Sequence, residues 1–544
     1  MHSPHKLPTV SYTRIVTLYF LALTTLGLFI FKDFGFATDE HINRENGGVS
    51  LSYILSTIEQ LFAIDIHWAK SSLSDFHKDL LSYKDRDYGV AFDLPVMVIE
   101  RLFHVDSSRD QYLLRHFLTY LIFVSGSISF YLIVNARFSD WRIAVLATTF
   151  MVCSPRIFAE SFYNNKDIVF MSLFITALYH ALRMIDTPKV RNCFWAALFS
   201  ALAIDVRIIA VVIPLIVVVA VILKMLRNEL NRKHQPHFLA GYLALTACFT
   251  ISFWPWLWTN PLGHFTEAVR NMAQFRWLNW VLYRGHYYPS TNLPWHYLPV
   301  WIAITTPIFY LLLTAIGVCA ILKTAFVNKF RLWGTEYELQ DLIFLSILVA
   351  PIAAAVLLKS TVYDGWRQFY FIYPALIYIA MRGFVTVWSY FKAMKLSKVA
   401  MTVLVISSLA VTVSWMIRNH PYQNIYFNRL AGPAWATQYE GDYWGLTNTR
   451  GLEFIARTDQ RAEVSIYNLG NTSIPQAFLI LPSHTQNRFK VASSINEANY
   501  AITNFRFLNR LDAKNLYEEI SSKFPLVYQV QVDGMVIVAI FKLR

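Results

Sequence analysis

Residues 14–41 read RIVTLYFLALTTLGLFIFKDFGFATDEH. From Ile15 to Phe31 the segment carries no charge and approaches the roughly 20 apolar residues that a helix needs to cross hydrocarbon. It then meets water abruptly at Lys32-Asp33, and six residues further on stands the acidic pair Asp39-Glu40 beside His41. Arg14 before an apolar run is the charge order of a secretory signal, but no small-residue cleavage site follows. The segment is therefore expected to remain as a first membrane helix, with a potential general base held just outside it.

The rest of the chain repeats the apolar pattern. Runs of comparable character fall at about 112–134, 142–154, 167–185, 192–206, 207–224, 238–258, 296–322, 341–358, 369–388 and 399–417, giving about 11 spans. Of the 544 residues, 55% are hydrophobic and only 15% charged, too little polar surface for a soluble chain of this length. The net charge of +13 would suit nucleic acid, but the basic residues sit in short loops and no reader motif occurs. No nucleic-acid partner is expected. Arg137/Arg142, Arg183/Lys189/Arg191, Lys224/Arg227/Arg232/Lys233, Lys323/Lys329/Arg331 and Lys392/Lys395/Lys398 all fall on the side of the amino terminus, which makes that side cytoplasmic.

The long first loop (32–111), the loop at 259–295 and everything after 417 then lie outside. Apolar residues at helical spacing near 53–62, 96–103 and 262–282 predict helices lying in the interface. Past 418 the pattern turns to short β-rich segments, ending in 526–532 and 535–541 around Asp533-Gly534, a strong hairpin signal. The expected division is a membrane domain at 1–417 and an extracytoplasmic α/β domain at 418–544. Cys153, Cys193, Cys248 and Cys319 lie in apolar runs without metal-ligand spacing.

Several charged residues stand where chemistry could use them. Asp39, Glu40 and His41 form one cluster, which reads equally as a solvated loop start; His41 beside two carboxylates could also hold a divalent cation. A second cluster runs from Glu160 through Tyr163, Lys166 and Asp167, the last at the start of an apolar helix where an acid also serves as a cap. Asp205 and Arg207 interrupt an apolar stretch, as a pathway charge or as a structural pair. Arg367 opens the tenth span with a guanidinium suited to phosphate or to lipid headgroups. No Walker loop, His-Glu-x-x-His or Gly-x-Ser-x-Gly motif occurs, so an ATPase, a zincin and an α/β-hydrolase are set aside.

With these residues in view, the chain resembles the GT-C membrane glycosyltransferases, in the superfamily of protein O-mannosyltransferases and lipid A aminoarabinose transferases. The strongest match is Asp39-Glu40 directly after the first span; Asp167 after Tyr163-Asn164-Asn165-Lys166 is similar to the second acidic position, and Arg207 and Arg367 fall near the lipid phosphate. No loop is long enough for the lectin-like insertion of the eukaryotic mannosyltransferases. The resemblance implies a mainly α, polytopic helical bundle and transfer of a hexose or pentose from a polyprenyl-phosphate donor to a lipid, glycan or protein acceptor, with inversion, outside a bacterial inner membrane. It implies Asp39 as base, Glu40 and Asp167 as further catalytic carboxylates, and Lys166, Arg207, Arg367, Tyr163 and His41 as substrate-binding residues. A transporter or flippase is the competing expectation from many spans with buried charges. Against it, the acids gather at one surface and no repeated halves are visible.

Overall fold

A computed structural model of the chain describes residues 10–65, 73–76, 78–227, 229, 235–273, 275–327, 333–391, 395–506 and 511–544. Of the loop charges, Arg232, Lys233, Lys329, Arg331 and Lys392 lie outside these residues.

Among the described residues, nine helices are long and apolar enough to cross a membrane, and a tenth crossing arises if Trp141–Val152 and Pro155–Tyr163 count as one broken span. Val190–Val206 is helical but only 17 residues long. The chain is thus a multi-pass, mainly helical membrane protein, as its hydropathy predicts. The first helix, Val10–Ile30, packs loosely, with 11% of its apolar window buried, whereas Asp167–Asp186 and Arg367–Tyr390 are 72% buried at the centre of the bundle.

Two of the expected spans are interrupted, each for a reason visible in the covalent chemistry. The run at 142–154 stops at Cys153, and the chain bends by 70° into Pro155–Tyr163. Proline lacks the N–H that would continue the ladder, and Ser154 turns its hydroxyl back onto the Phe150 carbonyl at 2.7 Å. The run at 296–322 is two helices, Tyr297–Thr305 and Ile308–Val327, broken at Pro307. Asn428 repairs the break: its Nδ2 donates to the carbonyls of Ala303 (2.7 Å) and Thr306 (2.6 Å), and its backbone N–H to that of Ile304. Broken helices persist at membrane depth only when such partners exist.

The first loop is built on Glu40–Phe62 and Asp93–Leu102. Their far ends leave Leu61, Phe62, Leu102 and Phe103 exposed, as interface-lying helices would. In the third interfacial segment the helix covers only Pro261–Ala273; residues expected to continue it form a hairpin of β1 (Trp280–Tyr283) and β2 (His286–Pro289). Arg284 and Gly285 both have positive φ, the backbone of a tight hairpin turn.

The carboxy-terminal sheet has the order β4-β3-β5-β7-β6, from β3 (Val464–Asn468), β4 (Phe489–Val491), β5 (Tyr500–Thr503), β6 (Leu526–Val532) and β7 (Met535–Lys542). β3 pairs in parallel with β4 and β5, and the β6–β7 hairpin closes the antiparallel side. Asp533 and Gly534 make the turn at φ 50° and 78°. One sheet face meets the helix Leu446–Thr458 through Leu452, Ile455, Ile466 and Ile502; the other meets Ile520 through Ala501 and Phe541. That helix anchors the sheet to the membrane part, because residues 442–449 also pack on the linker after the first span.

Candidate functional site

The linker from Lys32 to Thr38 sets the position of Asp39. Phe36 N–H donates to the Thr449 hydroxyl at 3.1 Å, while the N–H and hydroxyl of Thr38 both donate to the Trp444 carbonyl at 3.0 and 2.9 Å. Gly35 allows the approach, since a Cβ there would stand 2.3 Å from the Leu446 carbonyl. Asp39 is the residue preceding the helix Glu40–Phe62, and its carboxylate reaches Arg367 at the start of the helical turn Arg367–Ile372.

There it enters a chain of alternating charges. Asp39 Oδ2 lies 2.9 Å from Arg367 Nη2; Arg367 Nη1 lies 3.1 Å from Asp167 Oδ2; Asp167 Oδ1 accepts from Arg207. Asp167 is therefore a bridging carboxylate that fixes two guanidinium groups. Asn164 holds it in turn, receiving the Asp167 N–H and donating to Oδ2 at 3.1 Å. The middle of the chain is buried, with side-chain exposures of 4% for Arg367 and 1% for Asp167. Its two ends are open, Asp39 at 40% and Arg207 at 23%.

Arg367 has further partners that no sequence pattern shows. Asp364 lies 3.2 Å from Nη2 and is paired on its other oxygen with Arg506 at 2.7 Å. The guanidinium lies over Trp444, 4.5 Å from the ring centroid, and over Tyr363 at 5.1 Å. The carboxy-terminal region thus closes the site with Trp444 and Arg506. The positive φ of Asp364 and Gly365 marks the turn that presents Arg367; only the Asp-Gly dipeptide could have signalled it.

Lys166 stands beside this chain. Its ammonium is buried, lies 4.3 Å from the Tyr88 ring centroid, and has no hydrogen-bond partner. Burial pushes its pKa down to about 8, with Arg207 adding to the fall and Asp93, Asp205 and Asp167 opposing it. The Nε atoms of Arg207 and Arg367 are also buried without a partner. Three cationic donors lacking acceptors in one place suit a polyanion, because an orphaned buried donor is costly until an acceptor arrives.

Other residues that the sequence singled out are placed differently. Glu40 is 1% exposed; Oε2 accepts the Ala37 N–H at 2.8 Å and Oε1 lies 2.9 Å from His116 Nε2. It braces the linker. His41 is half-buried with Nδ1 3.4 Å from the Tyr112 hydroxyl, and burial lowers its pKa. Asp39, Glu40 and His41 therefore diverge, and among the described residues no three metal-ligating side chains converge. Tyr163 is buried against Trp444 and Phe34. Asp205 does not pair with Arg207: it accepts the Ala91 N–H at 2.9 Å and fastens the first loop. Below the site, Arg115 links Asp93 (3.0 Å) and Glu100 (2.8 Å), and Asn165 joins Asp93 to Asn43, a buried network that single residues gave no reason to expect.

Glu440, also on the closing segment, is buried with neither carboxylate oxygen partnered by a side chain, and burial beside Asp364 pushes its pKa up to about 8. A carboxyl raised above its unfolded value favours folding fully at low pH and loses that advantage as pH rises toward 8. Glu440→Gln should therefore raise the thermal midpoint of the detergent-purified chain at pH 8.5 while leaving it nearly unchanged at pH 4.5.

Residues 102–254 match the family model described as dolichyl-phosphate-mannose-protein mannosyltransferase, which bears out the resemblance drawn from the sequence. The matched segment contains Tyr163, Lys166, Asp167 and Arg207 and stops short of Asp39 and Arg367 on either side. Among solved structures, the crystal structure of ArnT from Cupriavidus metallidurans bound to undecaprenyl phosphate is similar over 96% of this chain and 97% of that one, at 13% identity and a TM-score of 0.47. No curated protein sequence matches.

Proposed function

We propose that this chain, a multi-pass membrane protein similar to the protein mannosyltransferases, moves a sugar from a polyprenyl phosphate to an acceptor hydroxyl at its Asp39 face. The observation that carries the reading is the four-membered chain Asp39–Arg367–Asp167–Arg207, with a base at one open end and a cation at the other. Displacement with inversion needs that separation: the incoming hydroxyl and the departing phosphate lie on opposite faces of the sugar. Asp39 takes the acceptor proton with its outward oxygen while Arg367 holds the other. Arg207 and Lys166 receive the charge that grows on the phosphate as the glycosidic bond breaks. Asp167 keeps the two guanidinium groups at fixed spacing and Glu40 braces the linker, so both position rather than react.

In this reading the site faces the extracytoplasmic side of a bacterial inner membrane, the amino terminus is cytoplasmic, and 418–544 form an outer domain that closes the site through Trp444 and Arg506. The polyprenyl tail stays in lipid while the phosphate meets the site at the span ends. An anomeric assignment of the product by NMR tests the geometry. Inverted configuration supports it, and retained configuration overturns it. A second test uses pH: kcat/KM reports the free enzyme, so it should fall through about pH 8 as Lys166 loses its proton. In Lys166→Met that descending limb should disappear and the remaining rate be low at every pH.

A further inference from the structure

A polar cavity lies against the first residues of the linker that carries Asp39. It measures about 360 Å³ and is walled by Lys32 to Gly35, by the first turns of Ser108–Phe138, by the helix Leu446–Thr458 and by residues 480–488. Its charge is one-sided. Lys32, Arg109, Arg450, Arg457 and Arg488 line it, against the two carboxylates Asp33 and Glu453.

Two of these arginines are occupied by the fold. Arg450 lies 2.9 Å from Glu453 and donates to the Asp33 carbonyl, and Arg488 donates to the carbonyls of Ala456, Asp459 and Arg461. Asp33 is in turn 3.0 Å from His420. The others are not so held. Arg109 and Lys32 have no hydrogen-bond or ion-pair partner among the described residues, and Arg457 is 76% exposed with its one carboxylate contact at 3.9 Å. Unpaired cations gathered in a cavity repel one another, an arrangement that an anion relieves.

The depth of the cavity narrows the choice of anion. Lys32 stands two residues past the end of the helix Val10–Ile30, Arg109 lies in the first turn of Ser108–Phe138, and Tyr422 stands four residues past the end of Lys395–Arg418. Three span ends thus place it at the headgroup level, where basic pockets between helices take lipid phosphates. The Asp39 chain uses none of these side chains.

We propose that this cavity binds a phosphate-bearing anion at the membrane boundary, with Arg109 and Arg457 as its free contacts. The source is either an anionic lipid headgroup or a soluble phosphorylated group, and the test separates them. The full-length chain, purified in neutral detergent, is titrated with phosphatidylglycerol, phosphatidylcholine and inorganic phosphate, with bound molecules counted by native mass spectrometry. Phosphatidylglycerol should bind about tenfold more tightly than phosphatidylcholine, the discrimination expected of one or two charge-assisted contacts. Arg109→Gln with Arg457→Gln should erase that preference, and Arg109→Lys with Arg457→Lys should keep most of it. Among the described residues the two side chains make no hydrogen bond and no ion pair closer than 3.9 Å, so the thermal midpoint should hold in both pairs. Binding of phosphate as well as the lipid would point to a soluble phosphorylated group, and binding of the lipid without phosphate to the membrane. Equal binding of the two lipids, no binding of either anion, or a glutamine pair that binds like the parent would overturn the proposal.

Discussion

Asp39→Asn should lower the rate of sugar transfer by about 10²- to 10⁴-fold, the range expected when a general base is lost, while the protein remains folded. The reason for both halves lies in the geometry. Asparagine keeps the shape of the side chain but cannot take a proton from the acceptor. Its removal from the ion pair costs little, because Asp39 is 40% exposed and Arg367 retains Asp167 and Asp364; exposed pairs contribute about 1 kcal/mol or less. Donor turnover in proteoliposomes and a thermal midpoint in detergent measure the two halves separately. A variant with near-normal turnover would remove Asp39 from the base role.

Arg367→Met should act on the fold as well as the chemistry. Among the described residues, Arg367 is the one cation in contact with Asp39, Asp167 and Asp364 together, and its side chain is 4% exposed. Loss of one partner from a buried pair costs about 3–5 kcal/mol because the remaining charge has no compensation. Asp364 keeps Arg506 and Asp167 keeps Arg207, so the penalty should fall near the lower end of that range. Arg367→Lys should recover little activity, since one ammonium cannot reproduce a planar fork that reaches three carboxylates. Thermal melts together with turnover distinguish this double loss from the purely kinetic defect of Asp39→Asn.

Much of the framework was legible because hydropathy reports burial in lipid directly. The segments expected to span are helical apart from the breaks at Ser154 and Pro307, and the Asp533-Gly534 turn sits where its dipeptide placed it. What escaped depends on direction and on distance along the chain. Pro155 was in plain view, yet the 70° bend after it depends on what Ser154 and the neighbouring helices offer the freed backbone. The three residues of β4 are too few to show a period. In the hairpin at 280–289, Arg284-Gly285 is a weaker turn signal than Asp-Gly.

At the site, adjacency to the first span marked Asp39-Glu40, but adjacency could not say that the two side chains turn to opposite sides of the linker. Asp39, Asp167 and Arg367 were expected on one face; that Arg207 joins them through Asp167, rather than pairing with Asp205, is visible only in the folded chain. Trp444 and Arg506 lie more than 75 residues from Arg367 along the chain, in a segment whose composition carries no motif, and so only the folded chain shows them closing over it. The family match over 102–254 and the polytopic helical architecture both fit the GT-C expectation, while Asp39 and Arg207, singled out in the sequence, are joined into one chain of charges only by the fold.

If the Asp39 face consumes a polyprenyl-phosphate sugar, the donor itself must be broken down by the purified chain. Incubation of the purified chain with a panel of polyprenyl-phosphate hexoses and pentoses, scoring release of polyprenyl phosphate with and without a hydroxyl acceptor, tests it most directly. Release from at least one donor, dependent on Asp39, is the expected result. No release from any donor, alongside solute uptake into vesicles carrying the same protein, would contradict it.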